Sequence, residues 1–189
     1  MKVALRPAVP QDAAKIRECY DYYIHHTQAT FTETLKPLEA YAESIASLSQ
    51  TYPFFVAVGE DGRFLGFANA EPLRPQTGYR YAAELTIYLH PQAPRRCGVG
   101  IQLYGAVLDC LTAQHFCQAY GVVNSVNEES LALHRHFGFR QVGFLENSGY
   151  KHGKWLSAVW LVKQLNPPQN PPPALIPFSQ YRVRFQAED

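Results

Sequence analysis

The stretch 84–108 constrains this chain most. It opens with Glu84-Leu85-Thr86-Ile87-Tyr88-Leu89-His90, passes through Pro91-Gln92-Ala93-Pro94 and Arg95-Arg96-Cys97-Gly98-Val99-Gly100, and ends in an apolar run. Leu85, Ile87 and Leu89 fall on one side of an extended chain and Glu84, Thr86 and Tyr88 on the other. This period of two, rich in β-branched and aromatic residues, predicts a strand. Pro91 and Pro94 end it, because proline has no amide to give to a sheet ladder. Ile101, Tyr104, Leu108 and Leu111 recur at three- and four-residue intervals, which predicts a helix with one apolar face. A strand therefore feeds a helix through a loop that carries two glycines and two arginines.

That loop has the makings of an anion cradle. First-turn amides of a helix lack internal partners and sit at the positive end of the helix dipole. Glycines let such amides come close to a ligand, most often a phosphate. Arg95 and Arg96 add charge and fork-shaped donors. Cys97 shares the loop, where its backbone amide matters more than its thiol. The Gly-Lys-Ser/Thr ending of a nucleotide-binding P-loop is absent, and so is the three-glycine pattern of a dinucleotide fold. What the loop offers is Arg-x-x-Gly-x-Gly at Arg95, Gly98 and Gly100.

The chain has 189 residues, enough for one domain with a sizeable core. At 47% apolar and 17% charged it reads as globular, and a net charge of +1 gives no electrostatic support for nucleic-acid binding. No run of eighteen apolar residues and no signal-peptide pattern is present, so a cytoplasmic protein without a membrane role is expected. Cys19, Cys97, Cys110 and Cys117 lack metal-ligand spacing. Cys19 and Cys110 fall on apolar helix faces and read as buried thiols.

In chain order, residues 2–6 predict a strand and Pro10-Gln11-Asp12 opens a helix with Ile16, Cys19, Tyr20, Tyr23 and Ile24 on its apolar face. A loop over 28–35 carries Phe31, which either walls a pocket or plugs the core. Residues 38–48 predict a helix. Strands over 53–58 and 64–70 flank an Asp61-Gly62 turn. A polar loop over 74–80 leads into the 84–90 strand. Residues 118–123 predict a strand, and Asn127 can cap a helix over 128–137 that Gly138 stops. Strands over 140–145 and 154–165 close the domain, joined through residues 149–153. The order β-α-α-β-β-β-α-β-α-β-β is α/β with a mixed sheet. Residues 166–173 hold five prolines in eight positions, which favours extended chain without a core. Residues 175–185 carry an apolar alternation suited to an extra edge strand, so residues 166–189 are expected to be a proline-rich tail on a domain of residues 1–165.

Element order and anion loop together resemble the GNAT superfamily of N-acetyltransferases. The resemblance extends to Ala29-Thr30-Phe31, the Glu84 strand, Asn127-Glu128-Glu129-Ser130, Leu133-His134, Phe137-Gly138-Phe139, Gly143-Phe144 and Lys151-His152-Gly153-Lys154-Trp155. In that order they resemble the phosphinothricin and methionine-sulfone N-acetyltransferases. The resemblance implies a mostly antiparallel sheet with strands splayed at the cosubstrate site, acetyl-coenzyme A as cosubstrate, no metal, and a homodimer. It implies that Ile87, Tyr88 and Leu89 line the pantetheine arm and that Arg95, Arg96, Cys97, Gly98, Val99 and Gly100 hold the pyrophosphate. Asn127 and Ser130 would lie near the thiol end.

The chemistry needs a base to take a proton from an amine and some means of stabilising the departing thiolate. The resemblance puts Glu84 in the first role and His134 in the second. Its substrates are small amino-acid-like amines with an acidic group, for which Phe31, Arg74, Tyr79 and Arg80 are the candidate contacts. The branch often carries an aspartate soon after its Gly-Lys/Arg-Trp motif. Here Trp155-Leu156-Ser157 stands instead, which leaves the acceptor open. Two alternatives remain: transfer to another amine, such as a polyamine or a peptide N-terminus, and a coenzyme A sensor or assembly module without catalysis.

Overall fold

A computed structural model describes residues 2–181. Seven strands, β1 (Val3–Pro7), β2 (Phe54–Gly59), β3 (Phe64–Pro72), β4 (Ala82–Leu89), β5 (Gln118–Asn124), β6 (Arg140–Lys151) and β7 (Lys154–Gln164), form one sheet of order β1-β2-β3-β4-β5-β7-β6. Every neighbouring pair is antiparallel except β4 and β5. The helices are α1 (Ala13–His26), α2 (Leu38–Thr51), α3 (Val99–Ala113), α4 (Glu128–His136) and the single turn α5 (Phe178–Tyr181). This is the mixed α/β architecture that the element order implied.

Helices cover both faces of the sheet. On one face Leu103, Tyr104, Val107, Leu108 and Leu111 of α3 pack on Leu65, Ala68, Leu85 and Val123. On the other, Ile16 and Cys19 of α1 and Ile45 of α2 pack on Phe54, Val56, Phe64 and Phe67. The central strands β2 and β3 are therefore buried on both sides, which is why they read as nearly continuous apolar runs. Cys19 and Cys110 are buried as expected, and burial pushes both thiols up to about 12.

One seam interrupts the sheet. β4 and β5 pair only through Ala82–Gln118, Ala83–Ala119 and Glu84–Tyr120. Beyond that level β4 continues against β3 as far as Leu89, and β5 continues against β7 as far as Asn124. The strands part, so the β5-facing edge of β4 has no strand beside it from Leu85 onward.

Two expectations change. The strand foreseen over 140–145 runs on to Lys151, with a bulge between Leu145 and Gly149, and turns tightly at His152-Gly153. Both turn residues have positive φ, the geometry of two-residue hairpins. The proline-rich tail does not stay clear of the core. Tyr81 Oη donates to Pro173 O at 2.9 Å, Gln114 Nε2 donates to Ile176 O at 2.7 Å, and Phe178 is fully buried against Phe55. Over 178–181 the backbone is a helical turn where an edge strand was expected; residues 182–185 of that expected strand lie outside the described residues.

Candidate active site

The parting of β4 and β5 opens a cleft of about 1670 Å³, larger than the usual small-molecule pocket. Its walls come from β4, the loop to α3, the start of α4 and the segment after α1. Glu84, Ile87, Tyr88, Leu89, Arg95, Arg96, Cys97, Gly98, Val99, Gly100, Asn127, Ser130, His134 and Phe31 all line it. The residues that the sequence singled out for catalysis and cosubstrate binding thus share one space.

The loop after β4 has the local geometry of an anion site. Arg96 adopts φ +57° and Gly98 φ +82°, and Gly98 serves as the N-cap of α3 without a side-chain bond. Left-handed backbone costs an L side chain energy, so glycine suits the cap position. The first-turn amides of α3 therefore face the cleft mouth without a capping side chain. The Cys97 thiol donates to Pro94 O at 2.8 Å and serves the loop's own fold. Arg95 forms a fully solvated ion pair with Glu129 at 3.6 Å, spanning from this loop to α4; an exposed pair of this kind holds little energy.

Across the cleft, Asn127 caps α4 by accepting from the Ser130 amide at 3.1 Å. His134 is buried one turn further along. Its Nδ1 lies 2.8 Å from Ser130 O, an acceptor only, so Nδ1 carries the hydrogen. Nε2 then accepts from Tyr104 Oη at 2.7 Å. Burial lowers the His134 pKa, with the Ser130 carbonyl opposing. Both nitrogens are engaged. The role expected for His134, acting on a departing thiolate, finds no free N–H here; the ring joins α3 to α4.

That junction leaves no room on β5. A Cβ placed on Gly121 would run into His134 Nε2 and stand 2.8 Å from its Cδ2. The ring is hemmed in by Tyr104 and Phe139 and cannot retreat. We expect Gly121→Ala to cost about 1–3 kcal/mol, an overpacking penalty, measured as a lowered urea midpoint at unchanged slope.

Glu84 sits at the last paired level of the seam, half-buried. Burial, reinforced by Glu71 and opposed by Arg74, holds its carboxyl above the usual range. A raised carboxyl is a better base at neutral pH. One wall of the cleft is aromatic: Tyr20 and Tyr23 of α1 pack on Tyr88 with ring centroids 4.9 and 4.8 Å apart. Tyr23 Oη also donates to Leu89 O at 2.7 Å, occupying one lone pair of that carbonyl. The Phe31 loop is tied down from several directions. Asn124 Nδ2 donates to Gln28 O at 2.7 Å, and the fully buried Lys151 donates from Nζ to Thr30 O at 2.9 Å.

Three expected substrate contacts stand elsewhere. Arg74 lies over the Trp160 ring at 5.0 Å and reaches Glu84 through its field only. Arg80 lies over Tyr81 at 5.0 Å, and Tyr79 is exposed on the preceding turn. None of the three lines the cleft. Sequence reasoning named Tyr88 but missed Glu71, Tyr104 and the packing of Tyr20 and Tyr23 on Tyr88. The cluster was visible only as tyrosines at helix and strand spacing, with nothing to say that α1 and β4 meet.

Residues 5–160 match the acetyltransferase (GNAT) domain family. The chain belongs to that family and is an acetyl-coenzyme A dependent N-acetyltransferase. It is 33% identical over 168 residues to the phosphinothricin N-acetyltransferase of Streptomyces coelicolor, covering 87% of this chain and 97% of that protein. It is 30% identical to the L-methionine sulfoximine/L-methionine sulfone acetyltransferase of Pseudomonas aeruginosa, covering 91% of this chain and all of that one. A crystal structure of a GNAT superfamily phosphinothricin acetyltransferase from Sinorhizobium meliloti, in complex with AcCoA, superposes with a TM-score of 0.83. It is 34% identical and covers 88% of this chain and 90% of that chain. Among the described residues no helix is long and apolar enough to cross a membrane, and no group of three His, Cys, Asp or Glu side chains is placed to hold a metal.

Proposed function

We propose that this enzyme acetylates the amine of a small amino-acid-like acceptor of the phosphinothricin, methionine sulfone or methionine sulfoximine type. The observation that carries the reading is Glu84 at the apex of the parted strands, where it lines the same cleft as the 95–100 loop and Asn127. The names of the similar proteins support the acceptor class.

The cleft suits acetyl-coenzyme A. The edge of β4 at Ile87 and Leu89, which no strand pairs, offers backbone groups to an extended amide-bearing arm, as an added strand would. The 95–100 loop and the α3 amides suit a pyrophosphate. Asn127 and Ser130 would stand near the thiol end. When bound, acetyl-coenzyme A supplies the thioester carbonyl. Glu84 takes a proton from the acceptor's ammonium, which frees the nitrogen lone pair. Phe31 and the tyrosines exclude water from the acceptor side, and the hydrogen bonds from Asn124 and Lys151 hold that wall. His134 enters as a structural link between α3 and α4. Arg74, outside the cleft lining, contributes positive potential near Glu84.

We also propose a cytoplasmic homodimer. β6 is an edge of the sheet, and Val142, Phe144, Leu145, Tyr150 and Trp155 are large apolar side chains exposed along the β6–β7 hairpin. Such an edge is suited to being covered by a second copy.

The test is thiol release from acetyl-coenzyme A with methionine sulfone, methionine sulfoximine, phosphinothricin, spermidine and a short peptide. Turnover is expected with the first three. Turnover confined to spermidine or the peptide would move the acceptor class, and binding without any turnover would indicate a sensor.

A further inference from the structure

Glu84 is alone as a carboxylate on its strand but not in the sheet. The β3–β4 register sets Glu71 directly opposite it. Directly opposed residues of an antiparallel pair share a face, with Cβ atoms roughly 4.5–5.5 Å apart. On its other side Glu84 is level with Tyr120 of β5, whose hydroxyl is turned to Gln118 Oε1 at 2.9 Å. Like charges set opposite each other destabilise a sheet. The surroundings moderate this charge without cancelling it. Burial raises the Glu71 carboxyl and Lys36, just before α2, opposes this by favouring its ionised form; Arg74, just after β3, favours the ionised form of Glu84. Among the described residues no cation comes within ion-pair distance of either carboxylate. Glu71 does not line the cleft, so it acts on an acceptor only through Glu84.

We propose that Glu71 is a positioning residue for the proton transfer: side by side with Glu84 across β3 and β4, and balanced by Lys36 and Arg74, it sets the pH at which Glu84 takes the acceptor's proton. The proposal rests on the reading of Glu84 as the base. In the step concerned, one proton passes from the acceptor's ammonium to the ionised Glu84, leaving a neutral amine and a protonated carboxyl. A second negative charge beside Glu84 makes it hold that proton more tightly. Burial acts in the same direction and more strongly, so losing Glu71 weakens the base without abolishing it.

The experiment is the pH profile of kcat/KM for the best acceptor of the panel, at saturating acetyl-coenzyme A. It compares the wild type with Glu71→Gln, Glu71→Asp and Glu84→Gln. Glu71→Gln should move the acid limb to lower pH, so that below the wild-type midpoint its rate relative to its own plateau rises roughly threefold. Its plateau should fall. Glu71→Asp keeps the charge and should restore the wild-type limb, which a merely structural role for residue 71 would not require. An unmoved limb in Glu71→Gln overturns the proposal. A limb that vanishes in Glu71→Gln also overturns it, because Glu71 would then be the group that takes the proton. If Glu84→Gln keeps the limb, or if the wild type turns over no acceptor, the reading of Glu84 or of the enzyme fails and takes this proposal with it.

Discussion

Glu84→Gln is expected to lower kcat for the acceptor reaction roughly a hundredfold or more at neutral pH, the usual contribution of a positioned base. The amide has the shape of the carboxylate but cannot take the proton. Residue 84 is held in register by β3 on one side and β5 on the other, so the backbone has no reason to move. The anion loop and the Asn127 cap lie at a distance along the cleft. The KM for acetyl-coenzyme A should therefore stay near wild type while kcat falls. The deficit should shrink as pH rises, because a growing share of the acceptor arrives already deprotonated. Steady-state kinetics of the pair from neutral to alkaline pH check both points. An equal rise in both KM values with kcat retained would place Glu84 in binding and not in proton transfer.

Phe178→Ala should cost about 3–5 kcal/mol, the usual penalty for emptying a buried aromatic site. Phe178 has no exposed surface and meets Phe55 edge-on at a centroid distance of 5.4 Å. Little is available to fill the space, because the backbone around it is pinned. Gln114 donates to both Thr51 O and Ile176 O, and Asn166 donates to Thr112 O and Phe116 O. The segment after β7 is thus part of the folded unit, and urea unfolding of the variant should show one transition at a lower midpoint. A midpoint equal to wild type would mean that the tail docks without contributing.

The sequence carried the local order well and the long-range pairings poorly. Alternation in 84–89 marked β4, and glycines with arginines marked the loop, since both signals arise from neighbours in the chain. Asn127 as a cap was legible for the same reason. The partner of Glu84 was not, because Glu71 comes thirteen residues earlier and only the β3–β4 register brings it opposite. The Tyr104 partner of His134 was not legible either, because a helical position says nothing about a residue thirty positions away. Arg74 and Arg80 looked available for a substrate, yet each found an aromatic face instead. Lys151 would be assigned to solvent by residue type, but it is fully buried, with its ammonium on Thr30 O of the Phe31 loop and Tyr23 O of α1. The tail misled because proline content predicts extended backbone correctly and says nothing about what one phenylalanine beyond it will do.

The short seam between β4 and β5 makes the sheet two slabs riveted strand to strand at three residue pairs, while the core under α3 spans both. One slab holds the acceptor-side tyrosines and Glu84, and the other holds Asn127 and the β6–β7 hairpin. The middle rivet, Ala83 against Ala119, is fully buried and built of the smallest side chains that carry a Cβ. A change there has no slack to absorb it and acts as a lever, whose long arm is the width of the cleft several residues away. Substitutions that widen or narrow the range of accepted amines need not touch the amine at all. They can arise at the rivets, which set where the two strands part.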